Sequence, residues 1–268
     1  EDNMEAYILE PLRENLTVLE YDITQDDLGL SVEMTDRIND EADLIINFVG
    51  DTNFFPKNVE KANYINVQGA LNLINTLCRG KALFSHISTA YVCGDRSGPV
   101  TEEEIDVGQN FKNDYEQSKC LAEKKIHEIC QARGISYNIF RPSIVIRRHS
   151  MHGKIPNLNH FYSFIGLLDI IRQDAQTQAH SSQKEKLNVS VRFPGKKDST
   201  LNFVDLDYAV RAILWISLRA TGNKTYHLVN PDPLTNQEFL NVIMKLYHLE
   251  GLSIVEDRTQ FKKLVFYE

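Results

Sequence analysis

Tyr115 and Lys119 stand four residues apart, in Tyr-Glu-Gln-Ser-Lys, within the stretch DYEQSKCLAEKKIHEICQARG from Asp114 to Gly134, which reads as a helix. Residues at that spacing leave a helix from one face. A lysine ammonium beside a phenol favours the phenolate, lowering the tyrosine pKa from its ordinary ~10 toward neutrality. Such a tyrosine can exchange a proton with an oxygen bound to carbon. Surface helices supply Tyr–Lys pairs freely, so the spacing alone is a weak signal. Ser88 and Thr89 strengthen it: they follow the apolar run ALFSHI, where a strand would end at the mouth of an open α/β sheet. A hydroxyl, a tyrosine and a lysine in this order point to carbonyl chemistry with a nicotinamide.

The elements that must position these groups alternate in type. Leu16, Val18 and Leu19 suggest a short strand ending at Asp22, whose carboxylate either meets a polar ligand edge or caps a turn. A polar helix around Ser31 to Asn39 precedes ADLIINFVG, a nearly continuous apolar run of the kind a strand buried on both faces requires. Gly50 at its end permits close backbone approach to a ligand or simply a turn. KANYINVQGALNLINTLCRG then reads as a helix closed by Gly80 as C-cap, with Gly69 inside it for close packing. Asp114 is placed as N-cap of the Tyr115 helix, and SYNIFRPSIV is a further strand that Pro142 brings to its exit. Strand and helix alternating with short connections predict a parallel, doubly wound α/β sheet.

Beyond residue 146 the character changes. RRHSMHGKIPNLNHFYSFIGLLDII reads as a substrate-facing segment, with Arg147 and Arg148 either part of it or a solvated pair, and QDAQTQAHSSQKEKLN as an exposed loop or lid. VRFPGKKDSTLNFVDLDYAVRAILWISL gives a strand, a turn at Pro194-Gly195 and a helix, and the chain closes with the amphipathic NQEFLNVIMKLYHL.

With 268 residues and 42% hydrophobic content, the chain can bury a full core. A net charge of −8 argues against a nucleic-acid partner, which would need an excess of Lys and Arg on one face. Cys78, Cys93, Cys120 and Cys130 form no CxxC pair and cluster with no histidines, so neither zinc nor a disulfide framework is indicated and a cytoplasmic setting is expected. His149 and His152 read as an ordinary polar loop, since no third metal ligand stands near them. No apolar run approaches the ~18 residues of a membrane span.

In the order and spacing of these motifs the chain resembles the extended short-chain dehydrogenase/reductase superfamily over most of residues 15 to 245. STAYVCGDRSG, DVGQNFKNDYEQSKCLAE, GKIPNLNHFY and FPGKKDSTLNFVDLDYAV are more similar to its thioester-reductase-like and fatty acyl-CoA reductase-like branch than to nucleotide-sugar epimerases. The resemblance implies a Rossmann-like domain over residues 1–146 and a smaller substrate-binding region over 147–268, with elements returning to the main sheet. It implies an NADP or NAD cofactor, NADP being preferred, and the catalytic set Thr89, Tyr115 and Lys119. Asp22 and Ile23 would meet the adenine. Asn47, Val49 and Gly50 would line the cofactor where the family often begins with histidine, and Asn66 would hold the active-site strand. Ser88 would lie beside Thr89, and Pro142, Ser143 and Ile144 along the nicotinamide.

The implied activity is NAD(P)H-dependent reduction of an acyl thioester, bound to coenzyme A or to a carrier protein, or of a long-chain aldehyde. A nucleotide-sugar epimerase or dehydratase and a non-catalytic nucleotide-binding relative are the alternatives. A dinucleotide site needs glycines at a strand-to-helix turn near the pyrophosphate. Gly94 and Gly98 are misplaced for it, and no GxGxxG occurs. The expectation is that the sequence lacks the N-terminal βαβ unit of a longer protein, with a degenerate relative as the second explanation.

Overall fold

The computed structural model describes residues 15–147, 161–179, 186–219 and 221–256. In chain order the elements are α1 (Val32–Glu41), β1 (Leu44–Asn47), α2 (Val59–Asn63), a π-helical turn over Tyr64–Gln68, α3 (Gly69–Leu77), β2 (Leu83–Ile87), a 3-10 turn over Ala90–Cys93, α4 (Asp114–Arg133), β3 (Tyr137–Pro142) and β4 (Ile144–Ile146). Then follow α5 (Phe161–Ala179), β5 (Leu187–Pro194), β6 (Thr200–Leu201), β7 (Phe203–Asp205), α6 (Leu206–Ser217), β8 (Lys224–Leu228), β9 (Leu234–Thr235), α7 (Asn236–Tyr247) and β10 (Leu249–Val255).

The main sheet has the order β1-β2-β3-β8 with every pairing parallel. Alternate residues of a strand face opposite sides, and both sides are covered. Phe84, Tyr137 and Ile139 pack on one side with Ile74 of α3 and Ile126 and Cys130 of α4. Phe140 and Leu228 pack on the other with Ala209 and Ile213 of α6. Helices on both faces of a parallel sheet make this the doubly wound α/β architecture that the strand–helix alternation predicts. A separate apolar cluster joins Leu168 of α5, Leu187 and Val189 of β5, Leu240 and Ile243 of α7, and Leu249 and Leu252 of β10. There β5 and β10 pair in parallel, and β4 pairs with β7 to link this part to the end of β3.

The structure departs from the sequence reading at four places. Residues 16–22 form no strand: Leu16 and Val18 stand exposed, and among the described residues no strand pairs with the outer edge of β1. An apolar run without a partner strand has nothing to satisfy its backbone groups in a ladder. Asn113, not Asp114, caps α4, its side chain accepting from the Glu116 N–H. Gly80 lies beyond the end of α3 at Leu77 and caps nothing; a Cβ there would come within 2.1 Å of the Asn39 carbonyl oxygen, so the glycine gives α1 its close approach. The polar stretch expected as a loop after Ile171 continues as helix to Ala179, because Ile171 and Ala175 pack on the β5 cluster.

The helix that carries Tyr115 is fixed at both ends and in the middle. Gly134 closes it in the left-handed conformation at φ 68°, its N–H reaching the Cys130 and Gln131 carbonyls. Midway, Glu123 receives Arg141 of β3 in a bidentate pair with Nη2–Oε2 at 2.6 Å and Nε–Oε1 at 3.1 Å. Arg141 also donates to the Glu104 carbonyl at 2.7 Å, tying the loop before α4 to the sheet.

Candidate active site

Thr89 follows the C-terminal end of β2 by two residues and opens the 3-10 turn, its Oγ1 accepting from the Tyr91 N–H at 3.3 Å. Its hydroxyl also bonds the phenol oxygen of Tyr115, which projects from the first turn of α4. The Phe54 ring, 5.8 Å away and tilted by 37°, backs the tyrosine. Thr89 and Tyr115 therefore present adjacent hydroxyls at the C-terminal end of a parallel sheet, the edge at which open α/β sheets take their ligands.

Lys119 makes its hydrogen bonds away from Tyr115. Its amine reaches across to β2, 3.0 Å from His86 Nε2 and 2.6 Å from the Ile87 carbonyl oxygen. The electrostatics follow from that placement. Burial pushes the Tyr115 pKa up to about 12; the Thr89 hydrogen bond pulls the other way, and the Glu116 carboxylate adds to the rise. Burial brings Lys119 down to about 8, against an upward pull from Glu123. The phenol thus lacks the stabilised phenolate that the four-residue spacing suggested, because the lysine's hydrogen bonds are taken up by β2.

The other expected residues divide by how their polar atoms are occupied. Asn47 is buried, with Oδ1 accepting from the Val49 N–H at 2.9 Å and Nδ2 facing His86 Nδ1 at 3.1 Å. Asn66, in the π-helical turn, accepts from the Asp51 N–H at 2.7 Å and donates to the Asp51 carbonyl and the Ser118 hydroxyl. It clamps the loop after β1 onto α4 one residue from Lys119, and Gly50 makes room, since a Cβ there would lie 3.0 Å from Asn66 Oδ1. Asp22 is exposed, and its carboxylate accepts from Thr24 and Gln25 in a turn of its own, which holds its pKa below the usual range. Ile23 is buried against Gly69, where a Cβ would meet Ile23 Cγ1 at 2.8 Å.

Ser88 and Ser143 behave differently. Both hydroxyls are buried and have no protein partner among the described residues. They follow β2 and β3, each with its backbone N–H bonded to the neighbouring strand, to Phe140 and Leu228 respectively. Pro142 ends β3 and Ile144 begins β4 beside Ser143. Two unsatisfied buried hydroxyls just beyond the ends of neighbouring strands suit a ligand that brings polar groups to this edge. That donor set fits the nicotinamide end of a dinucleotide.

Sequence reasoning missed His86, Phe54 and the Glu123–Arg141 pair. His86 carried a signal, as the one titratable residue of the short strand LFSHI, two residues before Ser88. The expected loop histidines His149 and His152, and Arg148, lie outside the described residues. Among the described residues no group of three His, Cys, Asp or Glu is placed to hold a metal ion, and no helix is long and apolar enough to cross a membrane.

Residues 1–213 match the family described as male sterility protein, an NAD-binding family. The chain belongs to that family. Among curated relatives of this male sterility protein family member, fatty acyl-CoA reductase 1 of Arabidopsis thaliana is 34% identical over 119 residues, 43% of this chain and 23% of that protein. The alcohol-forming fatty acyl-CoA reductase of Simmondsia chinensis is 31% identical over 139 residues, 49% of this chain and 28% of that protein. The matched part of the chain thus spans less than a third of the length of either relative. Among solved structures, the terminal R domain from the myxalamid PKS-NRPS biosynthetic pathway superposes with a TM-score of 0.66 at 28% identity, over 95% of this chain and 60% of that one.

Proposed function

We propose that this chain carries the reaction centre of an NAD(P)H-dependent reductase that acts on an acyl thioester, or on the long-chain aldehyde derived from one. The observation that carries the reading is the hydrogen bond between the Thr89 and Tyr115 hydroxyls at the sheet's C-terminal edge, with Lys119 buried one helical turn further on. The resemblance to fatty acyl-CoA reductases and to an R domain supports the substrate class.

The nicotinamide, when bound, supplies a hydride. Ser88 and Ser143 would hold its polar edge, Pro142 and Ile144 would line its ring, and Val49 and Gly50 would flank it where β1 ends. Asn47 and Asn66, with their polar atoms already engaged, would act as supports for that wall. At the far end, Asp22 would offer its exposed carboxylate to the adenine with Ile23 behind it.

At the substrate, Thr89 would donate to the carbonyl oxygen and polarise it. Tyr115 holds its proton at neutral pH, as a general acid must before it acts. As the carbonyl carbon gains hydride, the oxygen takes up negative charge and Tyr115 neutralises it by proton transfer. For a thioester the hemithioacetal so formed would then collapse, its C–S bond breaking as its hydroxyl proton passes to the departing sulfur, giving an aldehyde and a free thiol. For an aldehyde the same step yields the alcohol. Lys119, once protonated, would stabilise the phenolate that Tyr115 becomes. A carrier-protein-bound acyl group and an acyl-CoA present the same thioester and are both within this class.

The deciding experiment incubates the chain, or any longer polypeptide that carries it, with NADPH or NADH and a long-chain acyl-CoA. Stoichiometric oxidation of the cofactor with release of thiol supports the reading. Cofactor that binds yet stays reduced with every thioester and aldehyde tried refutes it. Tyr115→Phe should lose at least ~100-fold in rate, the usual worth of a positioned proton donor.

A further inference from the structure

Asn47 and His86 stand opposite each other in the register of β1 and β2, on the face of the sheet that α4 covers. Both are buried, as is Lys119, and Phe84 stacks on the imidazole at 6.3 Å. The direction of each hydrogen bond along this line is set by what the atoms are able to do. The Val49 N–H only donates, so it fixes the Asn47 amide with Oδ1 toward itself at 2.9 Å. That leaves Asn47 Nδ2, also a donor, facing His86 Nδ1 at 3.1 Å. His86 Nδ1 must then accept, and a neutral imidazole that accepts at Nδ1 carries its proton on Nε2. The Nε2–H points at Lys119 Nζ from 3.0 Å. An ammonium has no lone pair with which to accept, whereas a neutral amine has one and keeps two N–H bonds, one of them for the Ile87 carbonyl at 2.6 Å.

We propose that Asn47 and His86 form a directional hydrogen-bond relay that fixes His86 as the Nε2–H tautomer and favours the neutral amine of Lys119, so that His86 governs when Lys119 takes up its proton. Two further features agree with this. Burial holds His86 well below the ordinary imidazole range, so the ring stays neutral. Lys119 itself is brought down to about 8 by burial. The other charged groups around the relay do not reverse it. Glu123, one turn along α4, favours the ammonium but is bound bidentately by Arg141 of β3. Tyr115, one turn back, keeps its proton. His86 is therefore a positioning residue for a proton on Lys119. Its catalytic consequence rests on the reductase reading, in which protonated Lys119 is the form that supports Tyr115.

The test is nuclear magnetic resonance on the purified chain with 15N-labelled histidine and 13Cε-labelled lysine, the His86 and Lys119 signals being identified by their loss in His86→Gln and Lys119→Met. The expected result, at about pH 9 where Lys119 is the neutral amine, is a neutral His86 imidazole protonated at Nε2 and bare at Nδ1. A proton on Nδ1 overturns the relay. The lysine signal adds a sign test. His86→Phe removes the donor that favours the neutral amine, so the Lys119 titration should move up by about one pH unit or more. Were the lysine instead donating to the ring, the same change would remove an acceptor and move the titration down or leave it unmoved, which also overturns the relay. His86→Gln, whose amide accepts from Asn47 and donates to Lys119 in the same direction, should restore the wild-type titration. In the reductase assay, His86→Phe should displace the alkaline fall of the rate by the same amount as the lysine titration. A relay seen by resonance with an unmoved rate profile upholds the proposal and removes Lys119 from the catalytic reading.

Discussion

Arg141 on β3 and Glu123 on α4 close a bidentate ion pair whose side chains are 1% and 0% exposed. Taking two charges out of water is costly, and only their mutual contact and the extra bonds of Arg141 to the Glu104 and Thr101 carbonyls offset it. The pair connects the helix that carries Tyr115 and Lys119 to the sheet that carries Thr89. Glu123→Ala leaves a buried guanidinium without its counter-charge and should cost ~3–5 kcal/mol in urea denaturation. Replacing both partners by apolar residues, as Glu123→Leu with Arg141→Met, should cost less than Glu123→Ala alone.

Two glycines give a graded prediction of a different kind. At Gly69 a Cβ would lie 2.8 Å from Ile23 Cγ1, a side chain with some freedom to turn. At Gly80 it would lie 2.1 Å from the Asn39 carbonyl, which belongs to the backbone of α1 and is held there by Asn39 side-chain bonds to Thr35, Thr76 and Arg79. Gly69→Ala should therefore cost ~1–3 kcal/mol despite the better helix propensity of alanine, and Gly80→Ala more. Adding Ile23→Ala to Gly69→Ala should show a coupling of ~0.5 kcal/mol or more in a double-mutant cycle, whereas the same change added to Gly80→Ala should be close to additive.

Thr89 offers a cleaner view of the chemistry than the tyrosine does. Thr89→Ser keeps a hydroxyl able to bond the Tyr115 phenol and to accept from the Tyr91 N–H, and should retain activity within about tenfold. Thr89→Val keeps the shape and removes both bonds. Loss of one donor to a developing oxyanion is worth about 100-fold or more in kcat, with substrate affinity little changed. Because the Thr89 bond is what pulls the Tyr115 pKa down, the phenol in Thr89→Val should titrate higher still, which ultraviolet difference titration reads directly.

Much of this was legible in the residues, and the exceptions share a cause. The Tyr115 helix, its Gly134 end and the parallel sheet follow from spacing and alternation, which are local properties. The expected strand at residues 16–22 failed because an apolar run does not state whether a partner strand lies beside it. Lys119 was expected to act on Tyr115 because the two share a helix face. Its amine is instead claimed by His86 and the Ile87 carbonyl, and only the register of β1 on β2 and the seating of α4 bring those groups within reach. Proton states are set by partners distant in sequence, so neither the raised tyrosine nor the lowered lysine is written in the motif.

The lowered lysine has a consequence for stability whose sign is fixed. Folded Lys119 titrates at about 8 and an unfolded lysine at its ordinary 10.5, so between those values the unfolded chain binds more protons than the folded one. Stability contributed by this residue therefore rises as pH climbs through 8 toward 10.5, and below pH 8 the folded state carries a buried charge at full cost. Lys119→Met removes the titration altogether. Its stability relative to wild type should thus be most favourable near pH 7 and should decline by about 2 kcal/mol or more by pH 10, the order of magnitude that a lowering from 10.5 to about 8 implies. Urea denaturation of both proteins at the two pH values gives the difference, in which Tyr115 and the other alkaline groups cancel because they are common to both. A difference that stays constant between pH 7 and pH 10 would mean that Lys119 titrates as it does in the unfolded chain.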